Sequence, residues 1–284
     1  MNRFYGFLRL IRPVNCLMMG FAVIVGAAIA DPSGFSETSL GLFYGFVTGF
    51  MLTAASMAVN DYYDRRIDSI NEPNRPIPSG LVTPKEALVL ASILGITGLV
   101  AAFLTNLLCL IIGMSAWFIF VVYTTVGKSS GVPGNLLVSA CVAIPFIYGS
   151  AAIINTVQLN IIVFAFMAFL ANTGREITKG IMDVEGDRTG NVKTLAAQYG
   201  EEKAAIAATS FYFCAVLMSF LPVFLGLVSW LFIPVVAIAD FGFVISSLWL
   251  LINPARQRAR KVKNFALMWS MIGLFAFIVG IPAL

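Results

Sequence analysis

Histidine is absent from this sequence, and only 11% of its residues are charged. The first absence removes the imidazole ligands of common zinc centres. The second separates the chain from soluble domains, in which roughly 25% of residues are charged. Cysteine is scarce as well. Cys16, Cys109, Cys141 and Cys214 are scattered through apolar segments, which suits buried reduced thiols better than a disulfide scaffold or a thiolate metal site. No polar stretch is long enough for a separate soluble domain, and no twelve-residue EF-hand loop is present. No basic surface is interleaved with aromatics, so a nucleic-acid partner is not expected.

What remains is hydrocarbon. Hydrophobic residues make up 59% of the chain and the mean hydropathy is +0.91. Nine candidate spans follow, over roughly 14–30, 40–59, 87–105, 107–124, 134–153, 159–173, 204–224, 226–249 and 265–283. Each is near the ~20 residues a membrane helix needs, except the sixth, which is expected to continue beyond the lipid. Pro145 and Pro234 fall inside apolar stretches, where membrane helices tolerate kinks. The expected fold is an all-α polytopic bundle of nine transmembrane helices, forming one domain over residues 1–284. The first apolar run is expected to be a membrane helix rather than a removed signal, because similar spans recur along the chain.

Basic residues orient this bundle. With the N-terminus on the cytoplasmic side of the cell membrane, all 18 Lys and Arg fall in the inside segments 1–13, 60–86, 125–133, 174–203 and 250–264. The outer turns hold none, as the positive-inside rule requires. Merging any one hairpin would break the pattern, and an odd number of spans places Leu284 outside. Arg256, Arg258, Arg260, Lys261 and Lys263 read as an anchor beside anionic membrane lipids.

Two acidic clusters stand on the inside. Asn60, Asp64 and Asp68 follow the second span at four-residue spacing. On a continued helix, successive members turn only ~40° and rise ~6 Å, so they share one face. Like charges so placed repel, and a bound cation or strong pairing would offset that; Arg65 and Arg66 can supply some pairing but point around the helix rather than along the stripe. Asp183 and Asp187 repeat the spacing, with Gly186 between them where the chain bends or approaches a ligand. Carboxylates from two helix ends on one membrane face suit Mg²⁺, which shares its coordination with substrate phosphates and water. The plainer alternative, two solvated helix ends with ordinary ion pairs, explains either cluster alone better than it explains both.

The pattern Asn60-x-x-x-Asp64-x-x-x-Asp68 with Asp183-x-x-x-Asp187 resembles the UbiA superfamily of intramembrane prenyltransferases. So do Arg12-Pro13-x-Asn15, Asn74-Arg75-Pro76, Tyr123 followed by Lys128, and Lys193-Thr194-Leu195. The likeness covers essentially the whole chain. Gly131–Leu136, Pro145–Gly149 and Arg175-Glu176-x-x-Lys179-Gly180 narrow it to archaeal members acting in ether-lipid synthesis. The resemblance implies transfer of a geranylgeranyl group from geranylgeranyl diphosphate to the free hydroxyl of geranylgeranylglyceryl phosphate.

On that reading Asn60, Asp64, Asp68, Asp183 and Asp187 hold Mg²⁺ against the donor diphosphate. Arg65, Lys128, Arg175 and Lys193 are candidate phosphate contacts, and Arg12 and Arg75 candidate contacts to an acceptor phosphate. Tyr123 can donate a hydrogen bond near the reacting heads. Asp61, one residue off the stripe, is expected to orient a basic group or a water. Asp240, alone inside the eighth span, is expected in a protein-facing hydrogen bond. Two rivals stand beside this reading. One is a prenyltransferase for an aromatic or quinone precursor. The other is a transporter, against which count the acidic residues gathered at one face and the lack of clear inverted repeats. The sequence does not specify an oligomeric state.

Overall fold

The computed structural model describes residues 3–32, 39–190 and 192–282. Among them, nine helices are long and apolar enough to cross a membrane. Leu284 lies outside the described residues. A short helix, α1 (Arg3–Ile11), precedes the first span and buries Gly6 and Leu10. Leu10 packs with Ala58, Ile77, Val82, Ala87 and Ala91. Arg12 then takes a left-handed conformation at φ 52°, and Pro13 opens α2 (Pro13–Ala30), where its missing N–H costs nothing.

Helix α3 (Ser39–Asn71) runs 33 residues, or about 50 Å at 1.5 Å per residue. The hydrocarbon core is only ~30 Å thick, so one end of α3 projects beyond it. Asn60 to Asn71 occupy that end, on a helix that continues through the whole acidic motif. A returning loop leads to α4 (Pro84–Thr105), started by Thr83 and Glu86 in a reciprocal capping box. Asn106 alone joins α4 to α5 (Leu107–Val122), its side chain accepting from the Cys109 N–H at 2.7 Å. This is the expected tight hairpin.

Beyond α5 the chain widens into a π turn over Tyr123–Gly127 and tightens into a 3₁₀ turn over Lys128–Ser130. Helix α6 (Val132–Ile154) follows and carries Pro145 in its interior. It lies directly against α2. A Cβ on Gly26 would stand 2.2 Å from the Phe146 carbonyl oxygen, and one on Gly149 2.1 Å from that of Val23. Such small-residue contacts let membrane helices associate by close backbone packing.

Helix α7 (Leu159–Met182) continues past its apolar portion, as expected, to the second acidic motif, which occupies the turn into α8 (Val184–Thr189). The five-residue α9 (Leu195–Tyr199) precedes α10 (Glu201–Met218) and the short α11 (Leu221–Phe224), in which Pro222 sits at the helix start. The last two spans are α12 (Phe232–Ile252) and α13 (Arg256–Val279). Tyr212, Phe243, Leu250 and Val262 join α7, α10, α12 and α13 in one buried cluster. Phe146, Phe164, Phe232 and Phe277 form a second.

Two expectations need correction. Pro234 does not kink the eighth span; it lies in the first turn of α12, which starts at Phe232 rather than near residue 226. The basic run at 256–263 is not a loop before the ninth span but the first two turns of α13. Pro254 explains the break, since it holds Asn253 extended, and the helix can restart only beyond it.

Candidate functional site

The projecting end of α3 and the α7–α8 turn meet through one side chain. Asn71 donates its amide to the Asp183 carbonyl at 3.0 Å and accepts the Gly186 N–H at 2.9 Å. A Cβ at position 186 would lie 2.4 Å from the Asn71 amide nitrogen. Gly186 therefore permits a close approach, as expected, but to a protein side chain rather than a ligand. The sequence reading missed Asn71. Its signal was present, because Asn71 lies three residues beyond Asp68 on the same helical stripe. The two acidic motifs are thus latched together at one end of the bundle.

Asp61, Asp64 and Asp68 are all buried, and each has its own cation. Asp64 pairs with Lys128 and accepts from the Asn60 amide at 2.8 Å. Asp68 accepts from Arg75 at 2.7 Å, and the same guanidinium reaches Asp61 at 3.2 Å. Arg12 makes a second ion pair with Asp61. Asp61 thus orients two basic groups, in keeping with its expected supporting place. Burial works against the charge on Arg75, but the carboxylates of Asp61 and Asp68 more than reverse this and raise its pKa. The partial pairing expected from Arg65 and Arg66 is replaced by these cations from remote segments. Arg65 instead donates to the Tyr62 carbonyl at 2.6 Å and stacks on the Tyr62 ring at 4.4 Å. Its own helix holds it, away from the carboxylates.

The second motif is less fully paired. Asp183 has a buried carboxylate oxygen with no hydrogen-bond partner. Burial raises its pKa, opposed by Lys179 and Arg75. Burial first, and then the like charge of Asp183, push Asp187 up to about 6. An orphaned carboxylate oxygen beside a second reluctant carboxylate fits a divalent cation. No group of three His, Cys, Asp or Glu among the described residues forms a complete ligand cage. The donor set therefore fits Mg²⁺ rather than a caged ion, because Mg²⁺ uses one or two carboxylates and takes its other ligands from phosphates and water.

A cavity of about 550 Å³ opens beside the first motif; Asn60 is on its wall, whereas Asp64, Asp68, Asp183 and Asp187 are not. Asn60, Asp61, Arg12 and Arg75 are on its wall from the first motif and its partners, Tyr123 from the π turn, and Arg175 from α7. Farther in, Ala22, Phe146, Phe243 and Phe277 make the wall apolar. A π turn often marks a functional position in a helix, and here it buries Tyr123 beside the charged groups. Lys193 is exposed; its backbone N–H, bonded to the Ser129 carbonyl at 3.2 Å, holds the loop next to Lys128. Asp240 also reaches the cavity and accepts from the Ser219 hydroxyl at 2.7 Å, in the protein-facing bond expected of it.

Glu176 and Lys179 entered the sequence reading only as part of the resemblance and Lys263 only as a lipid anchor; none was given a role at the site. Glu176 accepts from Arg175 at 3.2 Å and from Lys179 at 3.4 Å, and all three line the cavity. The basic end of α13 is also more than a lipid anchor. Arg256 donates to the Asn71 carbonyl at 2.8 Å, Arg260 pairs with Glu72, and Lys263 faces the cavity.

A polytopic bundle with two acidic motifs latched together, and a chamber whose wall is cationic at one part and apolar at another, suits amphiphilic anions. Residues 19–272 match the UbiA prenyltransferase family, and the chain belongs to that family. It is a membrane prenyltransferase. It is similar to digeranylgeranylglyceryl phosphate synthase of Methanosarcina mazei, at 34% identity over 97% of this chain and 98% of the relative. A solved digeranylgeranylglyceryl phosphate synthase structure superposes with a TM-score of 0.73 at 32% identity, covering 99% of both chains. A UbiA homolog from Aeropyrum pernix K1 shares the fold at a TM-score of 0.79 and 20% identity, over 93% of this chain and 96% of that one.

Proposed function

We propose that this protein, acting as one domain, transfers the geranylgeranyl group of geranylgeranyl diphosphate to the free hydroxyl of geranylgeranylglyceryl phosphate in ether-lipid synthesis. The observation that carries the proposal is the Asn71 latch, which ties the end of α3 to the α7–α8 turn, with Asn60 of the same helix on the wall of a largely apolar cavity. The similarity to digeranylgeranylglyceryl phosphate synthase along nearly the entire chain supports the choice of substrates.

Asn60, Asp64, Asp68, Asp183 and Asp187 are the proposed holders of Mg²⁺. When bound, the ion stabilises negative charge developing on the diphosphate leaving group. The chain's own groups do the rest. Lys128 and Arg75 lie beside the carboxylates and, when these turn to a cation, are free to donate charge-assisted hydrogen bonds to phosphate oxygens. The allylic C–O bond breaks, and its electron pair leaves with diphosphate. The acceptor hydroxyl oxygen bonds to the allylic carbon and loses its proton. Phe120, Phe146 and Phe243 on the cavity wall exclude the water that would otherwise capture the allylic cation. Tyr123 is a proposed donor near the reacting heads, and Arg12, Arg65, Arg175 and Lys193 remain proposed substrate contacts. The mouth is assigned to the cytoplasmic side and Leu284 to the outside, by the distribution of basic residues.

The test is product identification. Purified protein is given geranylgeranyl diphosphate with either the glycerol phosphate acceptor or an aromatic acid. A digeranylgeranylglyceryl phosphate product is expected. Product on the aromatic acceptor alone overturns the proposal. Substrate accumulation in sealed vesicles without a covalent product favours transport.

A further inference from the structure

The cavity has a second cationic feature, formed by Lys263 on α13 and Arg175 on α7. Its charge state differs from that of the acidic mouth. There, Arg12, Arg75 and Lys128 are each paired with a carboxylate. Lys263 has no ion pair among the described residues, and its ammonium meets only the Met182 sulfur, at 3.9 Å. Arg175 spends one terminal nitrogen on Glu176, while its buried Nε has no partner. Arg175 and Lys179 add positive charge near Lys263, and Asp183 and Glu72 add negative charge. Glu72 is already paired with Arg260, and Glu176 is shared by Arg175 and Lys179. Asp183 keeps an unpartnered carboxylate oxygen but forms no ion pair with Lys263 among the described residues.

A half-buried ammonium beside two further cations is costly unless an anion compensates it. We propose that Lys263 and Arg175 bind the phosphate monoester of the acceptor lipid directly, without a metal ion. This rests on the proposed reaction and assigns the acceptor head to a place distinct from the donor diphosphate. Two arguments favour the monoester. The acidic motifs can share a cation with a diphosphate, whereas Lys263 and Arg175 are themselves cations and the carboxylate bonded to Arg175, Glu176, already serves Lys179 as well. Two positive side chains also match the charge of a monoester, near −2 at neutral pH. Asn264, next in sequence and on the same wall, supplies a neutral donor. On this assignment the acceptor phosphate sits at Lys263 and Arg175 rather than at Arg12 and Arg75, which Asp61 and Asp68 engage.

Binding is measured calorimetrically on the full chain in detergent, with EDTA present and no donor. The probes are geranylgeranylglyceryl phosphate and geranylgeranylglycerol. Wild type is expected to prefer the phosphorylated lipid by at least about tenfold, the scale of one charge-assisted contact. Lys263→Met keeps the apolar stem and should abolish most of that preference; Lys263→Arg should retain it. If Lys263→Met does not fold, Lys263→Gln gives the same comparison. In turnover, the acceptor KM should rise about tenfold while the donor KM stays within about twofold. A preference that survives removal of the ammonium overturns the inference, as does a loss confined to geranylgeranyl diphosphate. Wild type that binds the monoester through Lys263 but forms no product refutes the proposed reaction and leaves the subsite standing. Failure of wild type to prefer the monoester refutes the subsite, whatever product it makes.

Discussion

Replacing Asn71 by alanine separates the two acidic motifs without touching a carboxylate. The side chain makes two hydrogen bonds, to the Asp183 carbonyl and from the Gly186 N–H. Each contributes about 0.5–1.5 kcal/mol net, and leaving the buried N–H unpaired costs a further ~1–3 kcal/mol. Asn71→Ala should therefore weaken the α3–α8 junction by about 2–6 kcal/mol. Expressed as opening of the junction, the lower figure reduces the assembled population by up to roughly 30-fold. The assay is prenyl transfer titrated with Mg²⁺, alongside thermal unfolding in detergent. Half-saturating Mg²⁺ should rise by up to roughly 30-fold, with the rate recovering at saturation because every proposed ligand remains. Gly186→Ala should reproduce the defect, since its added carbon collides with the Asn71 amide. Asn71→Ala with a wild-type Mg²⁺ curve and melting temperature would refute the latch.

Asp64→Asn and Asp183→Asn should keep the helical fold by circular dichroism and lose transfer on the order of 100-fold or more; full Mg²⁺-dependent turnover in both would remove their assigned roles. Lys128→Ala should weaken geranylgeranyl diphosphate more than the neutral prenyl alcohol, and equal losses would point to packing instead. Burial and the like charge of Asp183 push Asp187 up to about 6 from its ordinary 3.8, so its ionised form is disfavoured in the folded chain. Without divalent ion, this group's contribution to stability should fall as pH rises through about 4 to 6. Mg²⁺ affinity should fall as pH drops through about 6, with protons released on binding; a pH-independent calorimetric Mg²⁺ constant would contradict this. Asp240→Leu removes the acceptor for the Ser219 hydroxyl and should lower the melting temperature more than it changes the donor KM. The reverse order would place Asp240 at the diphosphate.

The spans and the acidic stripe were legible because both are periodic. A carboxylate every four residues after an apolar run needs only a continued helix to share one face, and α3 supplies it through Asn71. The partners were not legible. Arg65 and Arg66, adjacent in sequence, offered the stripe only partial pairing. On a helix, adjacent residues point about 100° apart, and Arg65 folds onto Tyr62 instead. Arg12, Arg75 and Lys128 come from a helix junction, a returning loop and a 3₁₀ turn, so no local period announces them. Lys263 was hidden differently. Among Arg256, Arg258, Arg260 and Lys261 it read as part of a surface anchor, and only the start of α13 at Arg256 turns it toward the cavity.

The membrane setting then determines where binding energy must come from. A prenyl chain moving from the bilayer into the cavity leaves one apolar medium for another, so burial supplies little driving force. The apolar wall can select by shape and exclude water, but it cannot hold the substrates strongly. Affinity has to reside in the heads, where charged groups leave water. The structure divides that task. The acidic mouth carries carboxylates already balanced by their own cations, so a metal-bearing diphosphate must exchange with existing pairs. At the other end Lys263 has no ion pair among the described residues and Arg175 keeps an unpartnered Nε, so an anion there need not displace an existing partner of either group. Two amphiphiles that differ little in their tails can be sorted on this basis by their heads alone, the diphosphate by ion exchange and the monoester by simple neutralisation.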